Sequence, residues 1–192
     1  CILAEALAGN SHITDLDMTG GEAQGWPRVT MSGCTALAEG LAANRSLTSL
    51  RGSWNEFRDE GIASLASSIR SNDEGDPNKT LRVLELARTG FEKAGLQTIG
   101  HLLQSQHCVI DTLSLATNSL TTPAVPILAA ALIENRTLTW LDVSDNQFKD
   151  DGMEHLSRAF RENSTLLRLK ARDLLCGPTG SAKLRADVKL QP

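Results

Sequence analysis

The strongest constraint on the fold is an apolar segment that recurs along the chain at a nearly constant spacing. The segments LTWLDVSDNQF and LLRLKARDLLC, which begin at Leu138 and Leu166, are 28 residues apart, and IDTLSLATNSL begins 28 residues before the first of them. Steps of 29 and 34 residues lead back to three earlier segments, which begin at Leu81, Leu47 and Ile13. A period of this length is typical of a solenoid, in which each repeat is one small structural unit.

Each repeat combines the apolar periodicity of a strand with that of a helix. Residues one, four and six of the recurring segment are apolar, which predicts a short strand that turns these residues inwards. A stripe such as Ile62, Leu65 and Ile69 follows at helical spacing and predicts an amphipathic helix of about three turns. A glycine that precedes the stripe, such as Gly61 or Gly95, is interpreted as part of the loop that enters the helix.

Asparagines recur at two places in the repeat. Those that follow the strands are expected to satisfy backbone groups where the ladder of hydrogen bonds ends, and they are Asn55, Asn118 and Asn146. Thr89, Gly21 and Leu174 take that place in the other repeats, which puts backbone satisfaction there in doubt. The asparagines that precede the strands also form Asn-x-Ser/Thr sequences, and they are Asn44, Asn78, Asn135 and Asn163. Their regular placement favours a structural role over glycosylation.

The pattern L-x-x-L-x-L-x-x-N-x-L/F followed by a helix resembles the leucine-rich repeat family, and the 28-residue step resembles its ribonuclease-inhibitor-like class. The resemblance implies an α/β fold, a right-handed solenoid shaped as a horseshoe arc, with a parallel β-sheet on the concave side and helices on the convex side. It also implies a role in protein interaction.

The resemblance covers nearly the whole chain and is weaker at the ends, and residues 1–192 are predicted to form a single leucine-rich repeat domain. A partial N-terminal repeat over residues 1–12 is followed by repeats that begin at positions 13, 47, 81, 110, 138 and 166. Because the chain begins inside a helical stripe and lacks an initiator methionine, we expect it to be a fragment of a longer protein. Leu174 indicates that the repeat over 166–192 is an atypical, terminal one.

A binding site is predicted on the concave face, where residues three, five and seven of each segment project. The predicted partner-binding residues are Asp15, Asp17, Ser49, Arg51, Trp54, Glu85, Thr112, Ser114, Trp140, Asp142, Arg168, Lys170 and Arg172. Trp140 is either a binding anchor or a side chain packed on a neighbouring strand. Trp54 either extends the surface or packs within its loop.

Charge is distributed unevenly over this surface. Arg168, Lys170 and Arg172 lie on one strand face, so they predict either an acidic-partner patch or a solvated edge strand. The insertion over residues 22–32, with Trp26 and Pro27, could form a flap over one rim. The acidic segment 73–76 is interpreted as a surface loop.

Signals for catalysis are missing from the sequence. The histidines have no metal-binding spacing, no nucleophile or phosphate-binding motif is present, and we expect no catalytic residue, metal or cofactor. The net charge of -4 and the 4% aromatic content argue against nucleic-acid binding, and no small-molecule substrate or membrane insertion is expected. The four cysteines form no C-x-x-C pair, which favours the cytoplasm or another reducing compartment.

The favoured function is a non-catalytic scaffold or recognition module that binds one or more proteins within a larger assembly. One alternative is a GTPase-activating regulator of the Ran type, for which Arg88 could reach a nucleotide held by a partner. The other alternative is a ligand-sensing repeat segment of an innate immune receptor, in which a nucleotide-binding domain should precede the repeats.

Overall fold

The computed structural model describes residues 2–21, 27–70, 78–178 and 180, and these residues form alternating short strands and helices. The strands are β1 (Asp15–Asp17), β2 (Ser49–Arg51), β3 (Val83–Glu85), β4 (Thr112–Ser114), β5 (Trp140–Asp142) and β6 (Arg168–Lys170). The helices are α1 (Ile2–Gly9), α2 (Met31–Ala43), α3 (Arg58–Arg70), α4 (Lys93–Leu103), α5 (Val125–Glu134) and α6 (Lys149–Glu162). Every strand begins at the third residue of a predicted repeat.

The strands lie side by side in sequence order and form one open parallel sheet. The register pairs equivalent repeat positions, so that Leu50, Leu84 and Leu113 are neighbours in one column. These leucines are buried, because the fourth residue of each repeat points from the sheet towards the helices. The α/β solenoid predicted from the sequence, with a parallel sheet along one side and helices along the other, is confirmed.

The predicted helical stripes are confirmed as the helical half of the core. Ile62, Leu65 and Ile69 are all buried on α3, and the equivalent positions of α2, α4, α5 and α6 are buried in the same way, whereas Leu3 on α1 is exposed. The core is continuous through the described repeats, because each helix packs against the helix of the next repeat and the buried residues of helices and strands form one apolar cluster.

The interpretation of the stripe glycines as loop residues is wrong. Gly61 and Gly95 lie inside the first turns of α3 and α4. A Cβ atom on Gly95 would lie 2.9 Å from the Cβ of Phe91 and 2.8 Å from the Oδ1 of Asp59. The glycine is therefore needed for close packing at the start of the helix and does not mark a loop.

The asparagines after the strands satisfy the backbone as predicted. The Asn118 Nδ2 donates to the carbonyl oxygens of Leu86, Leu115 and Ala116 at 2.8–3.2 Å. Its Oδ1 accepts from the backbone N–H groups of Thr89 and Gly90 at 2.9 and 3.1 Å. Each asparagine thus links two successive repeats.

Repeats that lack this asparagine are satisfied in part by the next one. The Thr89 hydroxyl donates to the Leu86 carbonyl at 2.9 Å, and Asn118 of the following repeat completes that turn. In the first repeat, the Asn55 Nδ2 donates to the Met18 carbonyl at 2.8 Å. The doubt raised by Thr89 and Gly21 is thereby resolved, whereas Leu174 is a buried apolar side chain at the equivalent place.

The asparagines before the strands are buried at the ends of the helices. The Asn135 Nδ2 donates to the Leu103 carbonyl at 2.8 Å, and its Oδ1 accepts from the N–H groups of Thr137 and Leu138. Asn44 makes the equivalent bonds to the Leu7 carbonyl and the Leu47 N–H. These bonds explain the regular placement of the Asn-x-Ser/Thr sequences by backbone satisfaction.

Two predicted loops fall wholly or partly outside the described residues. Of the flap predicted over residues 22–32, residues 22–26 with Trp26 lie outside them, whereas Thr30 pairs with Glu56 and Met31 begins α2. The acidic segment over residues 73–76 lies outside them entirely. Among the helices of the described ranges, none combines the length and the apolar character that crossing a membrane requires.

Candidate functional site

The candidate site is the side of the sheet that faces away from the helices, which we call the open face. It is formed by residues three and five of each repeat, within the strands, and by residue seven just beyond them. On β1–β3 its charged residues are Asp15, Asp17, Arg51 and Glu85, and on β5–β6 they are Asp142, Arg168, Lys170 and Arg172. The open face is therefore acidic at its β1–β3 end and basic at its β5–β6 end.

The acidic end contains a chain of charge contacts across three strands. The Arg51 Nη1 lies 2.7 Å from the Asp15 Oδ1, and the Arg51 Nε lies 3.6 Å from the Glu85 Oε1. A hydrogen bond from the Thr19 hydroxyl, then one from the Thr19 N–H and the charge of Arg51, lower the pKa of Asp17. Asp15 and Glu85 are thus matched by Arg51, and Asp17 accepts a hydrogen bond from the Thr19 N–H.

The basic end contains one buried acid. Lys170 Nζ lies 2.9 Å from the Oδ2 of Asp142, whose side chain is 6% exposed. The Asp142 Oδ1 accepts from the Ser144 N–H at 2.9 Å. The expected row of three like charges is thus interrupted, because Lys170 is paired with the neighbouring strand. Arg168 and Arg172 are exposed and have no carboxylate partner among the described residues.

Trp140 lies half-buried on β5 and lines a hollow of about 420 Å³ in the open face. The other lining residues are Thr112, Thr139, Leu167 and Arg168. Its register neighbours are Thr112 on β4 and Arg168 on β6. Both interpretations of Trp140 therefore remain predictions. The residue lies between two neighbouring strands, and its side chain also borders an open hollow.

Leu167 is a surface residue that the sequence interpretation missed. It is 71% exposed and lies beside Trp140 in the hollow. It occupies the second position of its repeat, which holds Thr48, Arg82, Asp111 or Thr139 in others. The signal was available, because an apolar residue at a position that is otherwise polar indicates an exposed contact site.

Several predicted open-face residues are buried, and the expectation that they are exposed is wrong. Ser49, Ser114 and Asp142 are each less than a tenth exposed. Adjacent strands lie about 4.8 Å apart, so that Ser49 and Ser114 are screened by longer side chains on both sides, and Asp142 is covered by Lys170. Whether these residues contact a partner stays a prediction. Asp15, Asp17, Arg168, Lys170 and Arg172 are exposed as expected.

Trp54 lies away from the open face, in the loop between β2 and α3. The guanidinium carbon of Arg88 lies 4.2 Å from the centre of the Trp54 ring, so the two side chains form a cation–π contact. Arg88 also lines a groove of about 700 Å³ along the loops that follow β2–β4, together with Arg58 and Glu92. This geometry favours the loop-packing interpretation of Trp54.

Groups with catalytic potential are few in the described part of the chain. No three histidine, cysteine, aspartate or glutamate side chains there lie close enough together to hold a metal ion. Burial raises the pKa of the Cys34 thiol to about 12, and burial also raises the pKa of Cys108. Both thiols are therefore protonated at neutral pH and pack as small apolar side chains.

Comparison with known proteins identifies the repeat. A family model described as "Leucine Rich repeat" matches residues 43–66 and 134–157, and each match begins just before a predicted repeat, those at 47 and 138. The chain is 27% identical over 157 residues to the NACHT, LRR and PYD domains-containing protein 14 of Mus musculus, a match that covers 67% of this chain and 15% of that protein.

Two other relatives are proteins of different kinds. The Mus musculus ribonuclease inhibitor is 24% identical over 86% of this chain and 34% of its own length. The Homo sapiens capping protein, Arp2/3 and myosin-I linker protein 3 is 32% identical over 85% of this chain and 11% of its own length. The chain thus spans about a third or less of these relatives.

Solved structures show the same fold. Leiomodin-1 actin-binding site 2 matches with a TM-score of 0.58 and 15% identity, covering 97% of this chain and 85% of that one. The Caenorhabditis elegans tropomodulin C-terminal domain also has a TM-score of 0.58, with 11% identity, 97% of this chain and 91% of that one covered. With its repeat, its parallel sheet and these relatives, the chain belongs to the leucine-rich repeat proteins of the ribonuclease-inhibitor-like class.

Proposed function

We propose that the chain is a non-catalytic protein-binding module, a scaffold or recognition segment that captures a protein partner on its open face. The observation that carries this proposal is the open face itself, which presents charged and aromatic side chains across six rigid strands. Rigid presentation lowers the entropy lost on binding, because the side chains are already held in place.

The relatives support this proposal through their names. Leiomodin-1 is named for an actin-binding site, another relative for linking capping protein, Arp2/3 and myosin-I, and a third for the inhibition of ribonuclease. These proteins carry out their functions through partner proteins. The identity of the partner of this chain does not follow from theirs, since one fold serves many functions.

The proposal is tested with two variants that carry the same substitution on opposite sides of the molecule. Ala87→Arg adds a bulky cation to the middle of the open face, and Ala130→Arg adds it to the exposed side of α5. Each immobilised protein is exposed to an extract of the cells that express it, and the retained proteins are identified by mass spectrometry.

We expect Ala130→Arg to retain the proteins that the unchanged chain retains, and Ala87→Arg to lose them. Unfolding midpoints near that of the unchanged chain show that both variants are folded. Retention of the same proteins by both variants, or their loss from the Ala130→Arg variant alone, contradicts the proposal.

The alternative in which these repeats belong to a larger receptor-like protein is favoured by relatives whose names combine NACHT, LRR and PYD domains. The coding sequence on either side of the chain tests it. A nucleotide-binding domain before the repeats supports the alternative, and its absence from the complete protein contradicts it.

The GTPase-activating alternative depends on Arg88 and is tested by GTP hydrolysis assays with small GTPases.

A further inference from the structure

We propose that the β5–β6 end of the open face docks an acidic protein segment that inserts one apolar side chain into the hollow beside Trp140. This inference rests on the proposed function, because it names the kind of partner and the part of the open face that receives it. It follows from two properties of this end, which are the hollow that Trp140 and Leu167 line and the lack, across the residues that the structure describes, of carboxylate partners for Arg168 and Arg172.

The hollow provides the place for an apolar anchor. Trp140 and Leu167 supply its apolar surface, and Thr112 and Thr139 supply the rest of its wall next to Arg168. Leu167 is 71% exposed, so covering it with an apolar side chain removes a large apolar area from water. Trp140 and Arg168, which both line the hollow, are of the residue types in which binding hot spots are enriched.

The arginines provide the charge complement. Arg168 and Arg172 are exposed without a carboxylate partner in the described ranges, while Lys170 is matched by the buried Asp142. Arg168 is part of the hollow itself, so a carboxylate next to the anchor side chain would reach it. Arg168 and Arg172 are four residues apart and project to the same side, so an extended segment with acidic residues four positions apart matches their spacing.

A comparison with the opposite end of the open face indicates that a basic partner does not fit the β5–β6 end. At the β1–β3 end, Arg51 already contacts both Asp15 and Glu85. The unmatched positive charge of the open face therefore lies at its β6 end, whereas the β1–β3 end keeps a net negative charge. A second copy of this chain, with its acidic end against β6, and a nucleic acid are the competing occupants, and both are distinguished by the test.

The test uses the full chain with Trp26→Phe and Trp54→Phe, so that Trp140 is the only fluorophore of its kind. The probe is a synthetic eleven-residue peptide, which has glutamates on alternate positions around a central phenylalanine. One matched peptide replaces the glutamates with glutamines, and another replaces the phenylalanine with alanine. Binding is followed by Trp140 fluorescence at low and at physiological salt.

We expect the acidic phenylalanine peptide to bind at least about tenfold more tightly than either matched peptide. Its affinity should fall as salt increases, because salt screens exposed charges. Arg168→Glu should weaken this binding by about tenfold or more. Lys93→Glu, which makes the same charge change at the exposed start of α4, should leave the affinity within about twofold.

Several results would overturn the inference. These are equal binding of the glutamate and glutamine peptides, equal weakening by Arg168→Glu and Lys93→Glu, tighter binding of a twenty-nucleotide single-stranded DNA, and a dimer in sedimentation that Arg168→Glu dissociates. Circular dichroism of each variant confirms that it is folded. If the peptides fail while Ala87→Arg still loses the partner proteins, this site assignment is wrong and the proposed function stands.

Discussion

At the scale of single residues, the buried asparagines form hydrogen bonds with many of the backbone groups that the short strands leave without partners. Asn118 makes three donor contacts and two main acceptor contacts with backbone groups of two successive repeats. Leu86, Thr89, Leu115 and Ala116 are buried together with Asn118, and Gly90 is exposed. The side chain therefore replaces the ladder of hydrogen bonds that a longer strand would supply.

Asn118→Ala is expected to lower the free energy of unfolding by about 3 kcal/mol, since it leaves buried donors and acceptors unsatisfied. Asn118→Asp should lower it as well, because a carboxylate oxygen would face three carbonyl oxygens. Urea unfolding followed by circular dichroism measures both. Gln97→Ala, which removes an amide from the exposed side of α4, serves as the control. It should change the free energy of unfolding by less than about 0.5 kcal/mol.

At the scale of elements, the distance between neighbouring helices depends on small residues at their contacts. Gly40 of α2 lies against the backbone of α1, where an added Cβ atom would come within 2.6 Å of the Ala4 carbonyl oxygen. Backbone atoms cannot yield as a flexible side chain does, so a larger residue must push the two helices apart. On α4, the Cβ of a residue at Gly100 would instead meet the Cγ2 of Ile127 at 3.3 Å.

Gly40→Ala is therefore expected to destabilise the protein by about 1–3 kcal/mol. Gly100→Ala should leave stability unchanged or raise it slightly, because alanine favours a helix over glycine by about 1 kcal/mol and the Ile127 side chain can move. The pair is compared by thermal and urea unfolding. Equal effects of the two substitutions would show that helix separation does not limit stability at Gly40.

At the scale of the whole molecule, each repeat is stabilised by the repeats on both sides. Leu84 on β3 is almost fully buried between β2 and β4, whereas Leu169 on β6 is only partly buried. Contacts run only between neighbouring repeats, so the position of a residue along the solenoid determines how much of the core it supports.

Leu84→Ala should lower the free energy of unfolding by about 2–5 kcal/mol, as expected for a cavity in a closed core. Leu169→Ala should cost less than about half of that value, because the side chain is partly solvated before the substitution. Chemical unfolding of both variants measures the difference. A larger loss for Leu169→Ala would mean that the β6 repeat, and not the middle of the sheet, limits the stability of the described solenoid.

The sequence by itself determined the fold of this protein. A fixed spacing of leucines forces equivalent residues into one buried column, so the strands at 15, 49, 83, 112, 140 and 168 could be placed without coordinates. The roles of the stripe residues and of the asparagines after the strands followed in the same way, whereas the asparagines before the strands were expected only to be structural. These features repeat, and a repeated feature has the same neighbours in every repeat.

Only the tertiary structure decided which open-face residues are accessible. Trp54 was predicted on the binding surface, yet the guanidinium of Arg88 lies over its ring in a loop. Lys170 is paired with Asp142, and Leu167 opens onto the hollow beside Trp140. The physical reason is that these contacts join side chains of adjacent repeats, which differ from repeat to repeat. Periodicity fixes where the backbone lies, but the length and charge of the neighbouring side chains determine what remains exposed on it.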